Sequence, residues 1–151
     1  MERLTIEECA RLECLDGRVD YSRVRLHRAG SGGLFRHLVL WASRGRPIAL
    51  GNHVFLPWRC DGDLAVLAHE LTHCGQYQAW GPVRYYARGA VAQSSDLLYR
   101  TLGIGRSPYD YRLDPGKQFD EYGMEQQAMI VEDTFRGRSL PGSVGLIARA
   151  R

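Results

Sequence analysis

The chain has 151 residues, 44% hydrophobic and 25% charged, with a net charge of +3 at neutral pH. That length suits one domain burying roughly two-thirds of its unfolded surface, and the composition is that of an ordinary soluble globular protein. The basic residues are almost all arginine and dispersed, as in Arg3, Arg18, Arg44, Arg84, Arg112 and Arg149, which argues against nucleic-acid binding, and no apolar run reaches the length of a membrane span, so no membrane partner is expected.

The opening, MERLTIEECARLEC, is acidic and periodic. It lacks the basic-then-hydrophobic order of a secretory signal peptide, so synthesis in the cytoplasm is expected, with export by a dedicated secretion route left open. Thr5-Ile6-Glu7-Glu8 has the form of a capping box and predicts a short helix to about Leu15, ended by Asp16-Gly17. Cys9, Cys14, Cys60 and Cys74 form no CxxC pair, and free thiols are expected. Residues 24–27 (VRLH) alternate as a strand. The glycine-rich run at 30–33 lacks the lysine and hydroxyl residue of a phosphate-binding loop and reads as a turn.

Residues 34–43 predict an apolar helix with Leu34, Leu38 and Trp41 on one side, broken by Arg44-Gly45-Arg46-Pro47. Segments 48–50 and 53–56 read as strands around Gly51-Asn52, the second either an edge able to pair with an extended peptide or a strand buried in the sheet. Asp61 or Asp63 caps a central helix over 64–78 whose core face carries Leu64, Leu67, Ala68 and Leu71. Gly81-Pro82 separates it from a second long helix over 83–102. A surface loop follows over 103–118. The last helix is expected over 119–135, burying Met124, Ala128, Ile130, Val131 and Phe135, and the tail from 136 is expected to be partly mobile. With no repeat or linker, the reading is a single α+β domain over 1–151, mainly helical, with its core at about 20–135 and a small sheet packed on the central helix.

The central helix carries HELTH. His69 and His73 stand about one turn apart, so their imidazoles share a face, with Glu70 beside them. Two histidines at this spacing with an intervening glutamate are the zinc ligands and general base of metallopeptidase chemistry. Catalytic zinc wants a third protein ligand, and the residues after His73 hold no further histidine. Glu121, Glu125, Glu132 and Asp133 on the last helix are candidates, with Glu125 the most central. Cys74 points off the ligand face. Tyr77, a turn beyond His73, is the candidate catalytic tyrosine for stabilising an oxyanion, with His53 and Tyr122 as alternatives.

HExxH with a downstream helical glutamate resembles the gluzincin-type zinc metallopeptidases. The segments VRLH (24–27), NHVFLP (52–57), LAHELTHCGQYQ (67–78) and EQQAMIVED (125–133) more closely resemble a zinc-peptidase domain found beside Vgr-related spike proteins of type VI secretion and in contractile injection systems. The resemblance implies a zincin-like fold, one Zn2+ held by His69, His73 and Glu125, and Glu70 as base. It also implies a peptide or protein substrate and spike components as partners. One position departs: many gluzincins place an aspartate four residues after the ligand glutamate, and this chain has Met129 there, so the orienting role must fall to Asp133, to a backbone carbonyl, or to nothing. The expected function is a zinc-dependent metallopeptidase. The alternatives are a catalytically silent, zinc-stabilised accessory module of a secretion system and a metal-free helical interaction domain.

Overall fold

A computed structural model describes residues 1–30, 33–138 and 146–147. The elements are α1 (Ile6–Arg11), β1 (Arg25–His27), α2 (Leu34–Ala42), β2 (Ile48–Leu50), β3 (His53–Phe55), α3 (Leu64–Leu102) and α4 (Met124–Phe135), with short 3-10 turns at Glu13–Leu15, Tyr21–Arg23, Trp58–Cys60 and Phe119–Glu121. Mainly helical with one three-stranded sheet, the chain has the expected α+β class.

The Thr5–Glu8 capping box forms as read from the sequence, the hydroxyl accepting from Glu8 N and the carboxylate from Thr5 N. Asp63 caps α3 by accepting from Ala65 N and Val66 N at 3.0 and 3.1 Å. The predicted break lies at Gly81, whose φ of 75° and ψ of 167° interrupt the helical run just before Pro82, which has no N–H to donate. The last helix starts at Met124 rather than 119. Residues Phe119–Glu121 make a 3-10 turn instead, with Glu121 capping Gln118 N at 2.5 Å.

The strand order is β1-β3-β2, with β1 parallel and β2 antiparallel to β3. β3 is thus the middle strand, which overturns the reading of 53–56 as an edge open to a peptide and leaves the strand buried in the sheet: both its edges are already paired. Glu2 bridges Leu26 on the outer side of β1. Leu26, Val54 and Ala49 stand in register and are all buried in the core, which Leu67, Ala68 and Leu71 of α3 and Ile130 and Val131 of α4 complete.

Two packing details bear on the site. Gly75, inside α3, lets the 16–19 segment approach so closely that a Cβ there would stand 2.6 Å from Arg18 O. In α2 the apolar side read from the sequence points to solvent. Arg36 is the buried residue, donating to Leu56 O at 2.8 Å and His27 O at 3.3 Å. The expectation of a mobile tail falls mostly outside the described residues, but Ile147 is fully buried in the core and its carbonyl accepts from Arg18 Nε at 2.7 Å. All four cysteines are free thiols.

Candidate metal centre

The capped helix α3 presents His69 and His73 from successive turns, with ring centroids 5.0 Å apart. The first turn of α4 points Glu125 at them. Glu125 Oε2 lies 3.4 Å from His73 Nε2 and 3.9 Å from His69 Nε2, and the three residues offer donor atoms all within 4.8 Å of one another. Tetrahedral zinc with bonds of about 2.0–2.1 Å spaces its ligands roughly 3.3 Å apart, so this donor set fits a divalent ion after small side-chain movements. Among the described residues it is the one such group of three.

Each histidine is held from behind. His73 Nδ1 lies 2.9 Å from Gln76 Oε1, and Gln76 Nε2 donates to Met124 O and to Gln127 Oε1, both at 3.0 Å. A backbone carbonyl only accepts, so the contact to Met124 O fixes the nitrogen of the Gln76 amide on that side and its oxygen toward the ring. Nδ1 of His73 therefore carries a proton, and in the neutral ring the Nε2 lone pair is free to face Glu125. Gln127 Nε2 in turn donates to Tyr122 O at 2.9 Å, tying the relay to the start of α4.

His69 Nδ1 lies 2.9 Å from Glu132 Oε2, an ion-pair distance, although the contact falls off the line of a good hydrogen bond. Glu132 also accepts from Arg136 Nε at 2.9 Å, and Arg136 reaches the cap residue Asp63 at 3.2 Å. The orienting carboxylate missing at Met129 is thus supplied by Glu132, two turns past Glu125 on the same face of α4. Asp133, the residue expected to take that role, accepts instead from Tyr111 OH at 2.7 Å.

Electrostatically the centre is a buried cluster rich in carboxylates. Burial pushes the pKa of Glu70 up, and the neighbouring histidines only partly offset it. Burial also favours neutral His73, but Glu125 and Glu70 outweigh it and raise the group to about 9. Glu125 moves down despite burial because His73 and His69 stabilise its charge. Carboxylates packed this densely favour a positive charge at their centre, whether proton or cation.

The structure gathers His69, His73 and Glu125, with Glu70 buried within electrostatic reach of all three. The Tyr77 ring packs edge-on against Tyr85 and Tyr86 and covers Gly51, whose φ of 63° makes the β2–β3 turn. His53 pairs with His27 at 3.0 Å across β1 and β3, and Tyr122 OH donates to nothing in the centre, accepting instead from Asp114 N. Cys74 is buried in the core, where desolvation raises its thiol pKa. Gln76, Gln127 and Glu132 gave no sequence signal as supports. Neither did Tyr109, a half-buried tyrosine pushed up to about 12 by burial and within electrostatic reach of Glu125 and Arg46.

Fold and site together define an α+β domain with a His2Glu group suited to a metal ion. No known family matches the chain, and no solved structure does. It is similar to the type VI secretion system spike protein VgrG2b of Pseudomonas aeruginosa, 31% identical over 127 aligned residues. The alignment takes in 78% of this chain and 11% of that protein, so the chain spans a small part of the relative's length. No helix among the described residues is long and apolar enough to cross a membrane.

Proposed function

We propose that this domain serves type VI secretion as a metal-binding module associated with the spike, and that its metal centre hydrolyses peptide bonds. The similarity to VgrG2b supports the first part. The second rests on the convergence of two imidazole Nε2 atoms and one carboxylate beside the buried carboxylate of Glu70. In this reading His69, His73 and Glu125 hold one zinc ion, which supplies Lewis acidity toward water and a substrate carbonyl. Gln76 and Glu132 keep the imidazoles aimed. Glu70 accepts a proton from the attacking water and hands it to the departing amine, a role suited to a carboxylate whose pKa burial has raised. Tyr109, a half-buried side chain within electrostatic reach of Glu125, joins Tyr77 as a candidate to donate a hydroxyl to the developing oxyanion.

Replacing Glu70 with Gln leaves the three ligands in place, so the variant should bind zinc as the parent does and cleave nothing in a mixed peptide library. A second reading keeps the association and the metal but drops the chemistry: a catalytically silent accessory module, exported as part of the secretion apparatus. The similarity to a spike protein supports that reading better than the peptidase, because nothing in it speaks of hydrolysis. Stoichiometric zinc in the parent protein with no cleavage of the library would select the silent module, and cleavage that disappears in Glu70→Gln would select the peptidase.

A further inference from the structure

From Tyr21 to Cys60 the chain contains seven arginines and no aspartate or glutamate, although 17 acidic residues are spread over the rest. Arg36 is buried against backbone carbonyls and Arg28 pairs with Glu2, Glu8 and Asp61. Arg23, Arg25, Arg44 and Arg59 form no ion pair with an acidic residue among the described residues, while Arg46 lies within electrostatic reach of Glu125. The same stretch carries the inverted helix α2. Leu34 is 77% exposed, Phe35 61%, Leu38 53% and Trp41 81%, and Trp58 on the following 3-10 turn is 78% exposed. Arg59 Nη2 donates to Gly45 O at 2.6 Å, which holds the Trp58 turn beside the C-terminal end of α2.

Leu34, Leu38 and Trp41 recur at the spacing of one helical face. Phe35 and Trp58 add two more exposed aromatic side chains, and large apolar side chains gathered at one part of a surface mark an interaction site where scattered ones do not. The chemistry of this surface is one-sided: leucine, phenylalanine, tryptophan and arginine offer hydrocarbon and N–H donors and no acceptor. A second copy would set arginine against arginine. A protein face brings donors as well as acceptors, and a nucleic-acid backbone has no place for protruding leucines. A bilayer surface rich in anionic lipid answers both halves at once, with phosphates for the guanidinium and indole N–H groups and acyl chains for the leucines and phenylalanine.

We propose that α2 and the Trp58 turn form a peripheral docking surface for anionic membranes. This is a surface association, distinct from a membrane span, and its apolar side chains include none of the metal ligands.

The test uses the full chain with vesicles of pure phosphatidylcholine and vesicles containing about one-third phosphatidylglycerol, read by cosedimentation and by the blue shift of tryptophan emission. Binding is expected to the anionic vesicles and to be at least about tenfold weaker to the neutral ones, with loss of binding at high salt. The double variant Leu38→Ser/Trp41→Ser should weaken binding by at least about tenfold. Because both side chains are exposed, its circular dichroism spectrum should match the parent's. Trp58→Ser, on a separate turn, should weaken binding in the same direction. Absence of binding to anionic vesicles, or equal binding by parent and double variant, overturns the proposal. So does polyglutamate binding with the same blue shift, which would assign the surface to an acidic protein, or dimerisation abolished by the double variant, which would assign it to a second copy.

Discussion

Replacing Gln76 with Leu is the most informative perturbation of the supporting structure. The side chain joins α3 to α4 through contacts at 2.9, 3.0 and 3.0 Å, to His73 Nδ1, Met124 O and Gln127 Oε1. Leucine fills a similar volume but leaves His73 Nδ1–H and Gln127 Oε1 buried without those partners, and Met124 O part-buried without its own. At about 1–3 kcal/mol for each stranded group, partly relieved by relaxation, the variant should lose roughly 2–4 kcal/mol of stability. It also frees the His73 ring to rotate or change tautomer, and loss of such a support typically costs about 10–100-fold in metal affinity. Urea unfolding of the metal-free protein reads the first effect, and zinc titration against a competing chelator reads the second. Gln76→Glu keeps an acceptor for the ring but loses the donor to Met124 O, so it should retain more affinity than Gln76→Leu. A Gln76→Leu protein with unchanged stability and unchanged zinc affinity would refute the relay.

Other outcomes follow from the same structure. Gly75→Ala should destabilise the fold by about 1–3 kcal/mol in urea, because the new methyl meets the Arg18 carbonyl and backbone must move; an unchanged midpoint would show that the 16–19 segment is not held there. Burial opposes the charge of Glu8, but hydrogen bonds from Arg28 and Thr5 outweigh it and lower the pKa below its ordinary 4.5. A depressed carboxylate stabilises the fold above its unfolded pKa and loses that contribution as pH falls through the folded value. Glu8→Gln should therefore cost about 1 kcal/mol at pH 7, with the gap between variant and parent closing below pH 4.5. A gap that persists in acid would contradict the pairing. Tyr109→Phe should leave zinc binding intact and lower peptide hydrolysis by about 10–100-fold, mainly in kcat; full activity would remove Tyr109 from the reaction.

What could be read from the sequence was local. HELTH fixes its own geometry through the helical repeat, the Thr5–Glu8 box specifies its own cap, and Glu125 could be singled out by its apolar neighbours and by resemblance. The supports of the histidines were hidden because they depend on how α4 crosses α3. Glu132 and Gln127 reach the centre only at that crossing, and nothing in their own neighbourhoods distinguishes them from solvated residues. The orientation of α2 was hidden for a different reason. Its periodicity places Leu34, Leu38 and Trp41 together but does not say which side meets the sheet, and Arg36, reaching two backbone carbonyls, decided it. The central place of β3 was left undecided, since strands of three residues carry too little pattern to mark an edge.

The central claim is that His69, His73 and Glu125 together hold one metal ion. Elemental analysis of the purified protein after exposure to zinc and removal of loosely bound ions tests it most directly, with Glu125→Ala measured alongside. One zinc per chain in the parent, lost from a folded Glu125→Ala variant, is the expected result. A parent protein free of metal, or a variant retaining a full equivalent, would contradict it.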